Sequence, residues 1–249
     1  MLLNLDSKVV VVTGSSSGIG LQIAKEFIEE GAHVILNGRD GHKANDVARE
    51  IGAKGVFVGD LTVQETCNEF VTYVEETFGR LDHLVCNVGS GTSVPVGQET
   101  TEEWERVLKI NLFSTTQMVK AALQPLIDSK GTIVCISSIC GLAALGCPIA
   151  YSGAKAALQS YVKNQSKYLG QFGVRINSVV PGNILFENSV WERKLAASKL
   201  AVQNMLDSQV ALAKLGRPED VSALTVFLSS ERAAFITGSE CIVDGGQLK

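Results

Sequence analysis

Short apolar runs rich in β-branched residues recur along the chain, and longer segments of helical period separate them. The runs Val9–Val12, His33–Asn37, Gly55–Gly59, Leu84–Asn87, Thr132–Ser137, Val174–Val179 and Glu240–Val243 carry little polar alternation. That is the pattern of strands covered on both faces of a parallel sheet. The intervening segments are amphipathic. Leu21, Ala24, Phe27 and Ile28 share one face of the first, which stops at Gly31, and Phe70, Val74 and Phe78 mark another that stops at Gly79. Strand and helix alternating over the whole length predict an α/β, doubly wound sheet in one domain, residues 1–249. The rhythm breaks once, between Val180-Pro181-Gly182 and Arg217-Pro218-Glu219-Asp220, where mixed charge and a helical pattern replace any strand signal. An insertion after a strand's carboxyl end overhangs the ligand crevice of such sheets. Residues 183–212 or so therefore read as a lid over a substrate, with a helical hairpin packed on a neighbour as the alternative.

Composition narrows the function classes. The chain has 249 residues, of which 45% are hydrophobic and 19% charged, an ordinary globular balance. Its 22 basic side chains against 26 acidic ones give a formal charge of −4, which argues against nucleic acid or an anionic membrane surface as partner. No apolar run approaches the ~18 residues of a membrane span. The start, Met1-Leu2-Leu3-Asn4-Leu5-Asp6, lacks the basic, then long apolar, pattern of a secretory signal, so a cytoplasmic location is expected. Cys67, Cys86, Cys135, Cys140, Cys147 and Cys241 form no C-x-x-C pair and no metal-ligand spacing. They read as reduced thiols acting as small buried hydrophobes, and no metal site is expected.

Candidate chemistry begins after the first strand, where Thr13-Gly14-Ser15-Ser16-Ser17-Gly18-Ile19-Gly20 opens directly into a helix. Glycines there let the backbone pass close to a ligand, and the helix start offers unpaired N–H groups to a pyrophosphate. The three serines add hydroxyl donors. Further on, Tyr151 and Lys155 are four residues apart in a helical stretch, hence on one face. Reducing a ketone by hydride requires a proton for the developing alkoxide, and a nearby ammonium lowers a phenol's pKa toward the working range. Ser138 stands thirteen residues before Tyr151, just past the fifth strand, where a hydroxyl can bond a substrate carbonyl. Asn111 interrupts a helical pattern, which suggests a kink and a place for a proton-relay water, or simply an Asn tolerated in a bent helix.

The spacing T-G-x-x-x-G-x-G at Thr13–Gly20, with Asn111, Ser138, Tyr151 and Lys155 in order, resembles the short-chain dehydrogenase/reductase family. The likeness extends over essentially the whole chain, through Asn87-Val88-Gly89, Pro181-Gly182, Arg217-Pro218-Glu219-Asp220 and Val243-Asp244-Gly245-Gly246. It implies a Rossmann-type sheet of about seven strands in the order 3-2-1-4-5-6-7, with Asn111, Ser138, Tyr151 and Lys155 as the catalytic tetrad and Lys155 also clamping the nicotinamide ribose. By the same resemblance, Gly14, Ser16, Ser17, Gly18, Ile19, Gly20, Asp60, Leu61, Asn87, Gly89, Pro181, Gly182 and Ile184 line the cofactor. Gly38 stands where NAD-specific members place Asp, and Arg39 follows, so NADP(H) is the expected cofactor and NAD(H) a lesser one. In the alternative, Arg39 is a solvated charge and Asp40 reaches the ribose. Members are commonly homotetramers, so a homo-oligomer is expected.

Two positions depart from the family pattern. Cys86 replaces the first Asn of Asn-Asn-Ala-Gly, and Phe186 stands where members often carry a threonine beside the carboxamide. Either the backbone at Ile184 then holds that amide or the lid folds differently. The resemblance implies a carbonyl reductase or alcohol dehydrogenase, most similar in general to 3-oxoacyl-[acyl-carrier-protein] reductases. The rival substrate is a sugar or polyol, since Gly182–Phe186 and Trp191–Leu195 look like members of surface-polysaccharide pathways. A non-catalytic NADP-binding regulator is a further alternative, which the intact tetrad disfavours. An extended-type sugar-nucleotide epimerase fits poorly, because its glycine turn is spaced T-G-x-x-G-x-x-G.

Overall fold

Val9 and Val11 are buried on one face of the sheet, Val10 and Val12 on the other, so four consecutive valines serve two cores. This is the physical sense of an unalternating apolar strand. The computed structural model describes residues 2–248; positions 1 and 249, the two ends of the expected domain, lie outside them. The strands are β1 (Val9–Val12), β2 (His33–Gly38), β3 (Gly55–Val58), β4 (His83–Cys86), β5 (Thr132–Ile136), β6 (Arg175–Pro181) and β7 (Glu240–Val243). They form one sheet in the order β3-β2-β1-β4-β5-β6-β7, with every neighbouring pair parallel, as the resemblance implied.

The helices are α1 (Gly18–Glu29), α2 (Gly41–Ile51), α3 (Gln64–Phe78), α4 (Thr101–Leu108), α5 (Ser114–Ala121), α6 (Leu123–Ser129), α7 (Ile149–Gly170), α8 (Val190–Ala197), α9 (Lys199–Gln209) and α10 (Pro218–Ser229). One core holds Phe70, Met118, Leu158 and Val162 from α3, α5 and α7. The opposite core holds Ile23, Phe27, Val221 and Val226 from α1 and α10. Among the described residues, no helix is long and apolar enough to cross a membrane.

β6 runs two residues further than its apolar pattern indicates. Pro181 pairs with Val243 of β7 but lies past the last β5 partner, Ile136 opposite Val179. Its missing N–H therefore faces a side without a strand and removes no ladder bond. The strand order reverses between β1 and β4, and the crevice at the carboxyl ends there is where such sheets hold ligands. The segment after β6 forms the hairpin α8–α9 around a small core of its own: Val202, Leu206 and Val210 are buried against Trp191, Leu195, Met205 and Leu215.

Candidate active site

The turn from β1 into α1 needs its glycines. Gly14 and Gly18 have φ of +60° and +59°, in the left-handed region that other residues enter at a cost. Helix α1 has no acidic residue in its first turn, and its N-cap Ser17 makes no side-chain capping bond. The first turn thus keeps unpaired N–H groups and positive potential at the crevice. Ser15 departs from the expectation of three free hydroxyls. Its Oγ donates to Val12 O (2.7 Å) and accepts from Asn37 N (3.0 Å), so only Ser16 and Ser17 remain available. Asn37, which the sequence did not single out, braces the turn by accepting from Gly14 N (3.1 Å). Asn87 braces it from the other side, with Nδ2 donating to Thr13 O (3.1 Å) and Gly14 O (3.0 Å).

At the end of β2, Asp40 is committed to capping α2, its carboxylate accepting from Lys43 N (3.1 Å). Arg39 is exposed and, among the described residues, has no ion-pair partner. Gly38 is buried against Ser16: a Cβ there would stand 3.2 Å from Ser16 Oγ and from Ala44 Cβ. Asp60 is exposed and accepts from Thr62 N (3.0 Å), while the Leu61 side chain is buried in the core.

Asn111 sits in a π-helical turn, Lys109–Phe113, wedged between α4 and α5. Such turns arise where an inserted residue breaks the regular helical ladder, often at functional sites. The interruption of the helical pattern is this π turn, and the Asn111 side chain is bonded to the loop after β4 and to the turn before it. Its Oδ1 accepts from Ser90 N (2.9 Å), and Nδ2 donates to Ser90 O (3.1 Å) and Val107 O (3.1 Å). It pins the loop after β4. Gly89 permits that approach, since a Cβ there would meet Asn111 Oδ1 at 3.0 Å and Lys155 Nζ at 3.3 Å.

Ser138 follows β5, and its Oγ accepts from Cys140 N (3.2 Å) while its carbonyl accepts from Gln159 Nε2 (3.0 Å). Tyr151 and Lys155 rise from the first turns of α7. Burial pushes the Tyr151 phenol above its ordinary pKa, and the Ser138 hydroxyl beside it pulls the other way. The expected lowering of the phenol by Lys155 is not what this arrangement produces. Lys155 Nζ lies 5.9 Å from the Tyr151 ring centroid and donates to Ile136 O (2.9 Å). Burial brings the ammonium itself down to about 8.

These groups share one cleft of about 730 Å³, which takes in Gly14, Gly18, Ser138, Tyr151, Lys155 and Gly182. Ser17, Ile19, Asn87, Gly89, Pro181 and Ile184 also line it, whereas Ser16, Gly20, Arg39, Asp60, Leu61 and Asn111 stand outside its walls. The α8–α9 hairpin contributes Trp191, Lys194, Met205 and Gln209 to the cleft lining and packs around a small core of its own. Phe186 lies against the glycine turn, where a Cβ on Gly18 would come within 2.7 Å of its ring.

Ser90, Gln209 and Gln247 reach the cleft although nothing in their local sequence marked them. Gln247 is drawn in by Asn183, whose Nδ2 donates to its Oε1 at 2.8 Å. The cysteines require a correction. Cys67, Cys86 and Cys135 are buried thiols, as expected, but Cys140 and Cys147 are joined in a disulfide in the cleft wall.

The family model described as enoyl-(acyl carrier protein) reductase matches residues 14–247. The L-fucose dehydrogenase of Bos taurus is 34% identical over 242 residues, covering 96% of this chain and 88% of its own. The L-rhamnose 1-dehydrogenase (NAD(P)(+)) of Sphingomonas sp. (strain SKA58) is 35% identical over 249 residues, covering 97% and 96%. The crystal structure of L-sorbose reductase from Gluconobacter frateurii, complexed with NADPH and L-sorbose, superposes with a TM-score of 0.94 at 30% identity, covering 100% of this chain and 99% of that one.

Proposed function

The chain belongs to the short-chain dehydrogenase/reductase family, and from that premise we propose that it is an NADP(H)-dependent oxidoreductase interconverting a carbonyl and an alcohol on a sugar or polyol. NAD(H) is the weaker alternative cofactor. The observation that carries this reading is the convergence of Ser138, Tyr151 and Lys155 on the cleft that also holds the glycine turn.

The residues fit a dinucleotide. The left-handed glycines, the uncapped start of α1 and the hydroxyls of Ser16 and Ser17 suit a pyrophosphate. Arg39, with Asp40 occupied as a cap and Gly38 without a side chain, suits a ribose 2′-phosphate. By the family resemblance, Asp60, Leu61, Asn87 and Gly89 would serve the adenine and ribose, and Pro181, Gly182 and Ile184 the nicotinamide. Bound in this cleft, the nicotinamide supplies or accepts the hydride.

In reduction, the Ser138 hydroxyl donates to the substrate carbonyl oxygen and stabilises the charge growing there. Tyr151, kept protonated at neutral pH by burial, hands its phenolic proton to the same oxygen. Lys155 is cationic below about pH 8 and holds the ribose hydroxyls from beneath Tyr151. In oxidation, the phenol must first release its proton, and the hydrogen bond from the Ser138 hydroxyl favours that release. Asn111 acts as a positioning residue through its grip on Ser90.

A polyhydroxylated substrate suits the polar lining of the cleft. Gln209, Gln247, Asn183 and Ser90 offer amide and hydroxyl partners, and Trp191 an aromatic face. The fucose, rhamnose and sorbose enzymes among the relatives favour this class over the 3-oxoacyl thioester expected from the sequence. A homo-oligomer is part of the proposal: edge strand β7 leaves Ile242 47% exposed, and Phe235, seven residues earlier, is wholly exposed, apolar surface that a second copy would cover.

The test is a panel of deoxyhexoses, ketohexoses and alditols with NADPH or NADP, followed at the nicotinamide absorbance. Turnover on a sugar or polyol is expected. Tyr151→Phe should lower kcat by about 10³-fold while NADPH affinity stays within about twofold. Unchanged turnover in that variant would remove the phenol from the mechanism.

A further inference from the structure

The loop from Ser138 to Tyr151 contains a device that hydride transfer does not use. Cys140 and Cys147 are seven residues apart, with Cα atoms 6.1 Å from each other, and are joined by a disulfide. Both line the cleft and both are partly exposed. A small thiol can reach them through the opening that admits substrate. The other four cysteines are unpaired: three are buried, and the partly exposed Cys241 stands in edge strand β7.

The bridge holds a segment with few other restraints. Gly141, Leu142 and Ala143 donate backbone bonds to Ser138 and Ile139, but residues 144–147 donate none among those described. Gly146 has open space around its Cβ position, and Leu142 is 38% exposed. One end of the segment is coupled to the reaction centre, because Cys140 N donates to Ser138 Oγ at 3.2 Å. At the other end, Cys147 precedes Pro148, whose carbonyl accepts from Ser152 N in the first turn of α7.

We propose that Cys140–Cys147 is a redox-modification site, a reversible disulfide that fixes the substrate wall when oxidised and frees it when reduced by a low-molecular-weight thiol. The substrate side of this claim rests on the oxidoreductase reading above. A thiolate of the small thiol attacks one cysteine sulfur, breaks the S–S bond and forms a mixed disulfide, leaving the other cysteine as a thiolate that takes up a proton. A second small thiolate attacks the mixed disulfide and releases the small-molecule disulfide. Two electrons pass to the protein, which ends with two thiols, while two small thiols become one disulfide. Re-oxidation is the reverse, with the small-molecule disulfide as oxidant. Freeing residues 141–147 loosens the Ser138 hydroxyl and the cleft wall, whereas the glycine turn is braced by Asn37 and Asn87 and keeps its grip.

The experiment equilibrates the purified full chain in glutathione buffers from fully reduced to fully oxidised. At each point free thiols are alkylated and the peptide containing residues 140–147 is weighed by mass spectrometry. In parallel, kcat/KM for the best sugar, the NADPH Kd and limited proteolysis within 141–147 are measured. Both thiols should appear together in one two-electron step, and reduction should open the loop to protease. Reduction should also lower kcat/KM by roughly tenfold and move the NADPH Kd by less than about twofold. The Cys140→Ser/Cys147→Ser double variant should lose every redox response; if it fails to fold, Cys147→Ser alone serves. The proposal falls if both thiols stay free in oxidised glutathione, if kcat/KM is the same in both states, or if the response survives in the variant. Alkylation and proteolysis need no turnover. A chain that cycles its bridge and opens its loop but oxidises no sugar therefore keeps the redox site and discards the substrate reading.

Discussion

Tyr151 and Lys155 were legible as a pair because four residues of helix always return a side chain to the same face. Their electrostatics were not legible, because burial belongs to the tertiary structure. In this cleft desolvation dominates the phenol, and the ammonium that was expected to tune it is held by Ile136 O instead. Arg39 shows the same division. The sequence left two candidates for the ribose, Arg39 and Asp40, and the capping bond of 3.1 Å that Asp40 accepts from Lys43 N favours Arg39. A guanidinium that pairs with a 2′-phosphate contributes on the order of 2 kcal/mol at a partly exposed site. Arg39→Ala should therefore raise the NADPH Kd by roughly thirtyfold and leave the NADH Kd within about twofold, as read by fluorescence titration. An equal rise for both would assign Arg39 to the fold of the loop and not to the phosphate.

Among the elements, those with strong periodic patterns were read correctly and those defined by an interruption were read in part. The π turn was visible as an Asn in a helical run, but its consequence, a clamp on Ser90 twenty-one residues earlier, carries no local signal, and only the folded β4–α4 connection brings the two together. The Cys140–Cys147 bridge was hidden for a similar reason. A spacing of seven has no motif, and the shape of the intervening loop decides whether the sulfurs meet. The α8–α9 hairpin carries its own prediction. Leu206 is buried in the small core with Val202 and Val210, away from the main sheet. Leu206→Ala removes about 2–3 kcal/mol from that local core. Hydrogen exchange in α9 should accelerate by about a hundredfold while the sheet strands stay protected. KM for the sugar should rise several-fold at little cost in NADPH affinity, as a lid over the substrate requires. Equal deprotection of α9 and the strands would show that the hairpin unfolds only with the whole.

At the scale of the whole molecule the topology was legible because continuously apolar strands demand helices on both faces, and that demand leaves few architectures. A buried histidine at the base of the sheet was not. His83 is 7% exposed, with Nδ1 bonded to Thr132 Oγ1 at 2.7 Å and its ring 6.4 Å from that of Phe27. Burial holds its pKa down to about 4, against an ordinary value of 6.5. Between those values the unfolded chain binds a proton on this ring and the folded chain does not, so stability is complete above about pH 6.5 and declines as the pH falls toward 4. The linkage amounts to about 2 kcal/mol between about pH 7 and pH 5. Asp82, lowered by Arg80 and by the bond from Val9 N, loses its contribution only below the ordinary carboxylate range, beneath the histidine's window. Glu26, raised by burial, acts in the opposite direction over part of that window. A comparison with His83→Gln isolates the ring from both, because the carboxylates are common to the two proteins. Urea unfolding at about pH 7 and about pH 5 should show the native protein losing about 2 kcal/mol more than the variant. Equal losses in the two proteins would mean that His83 does not remain neutral in the folded sheet.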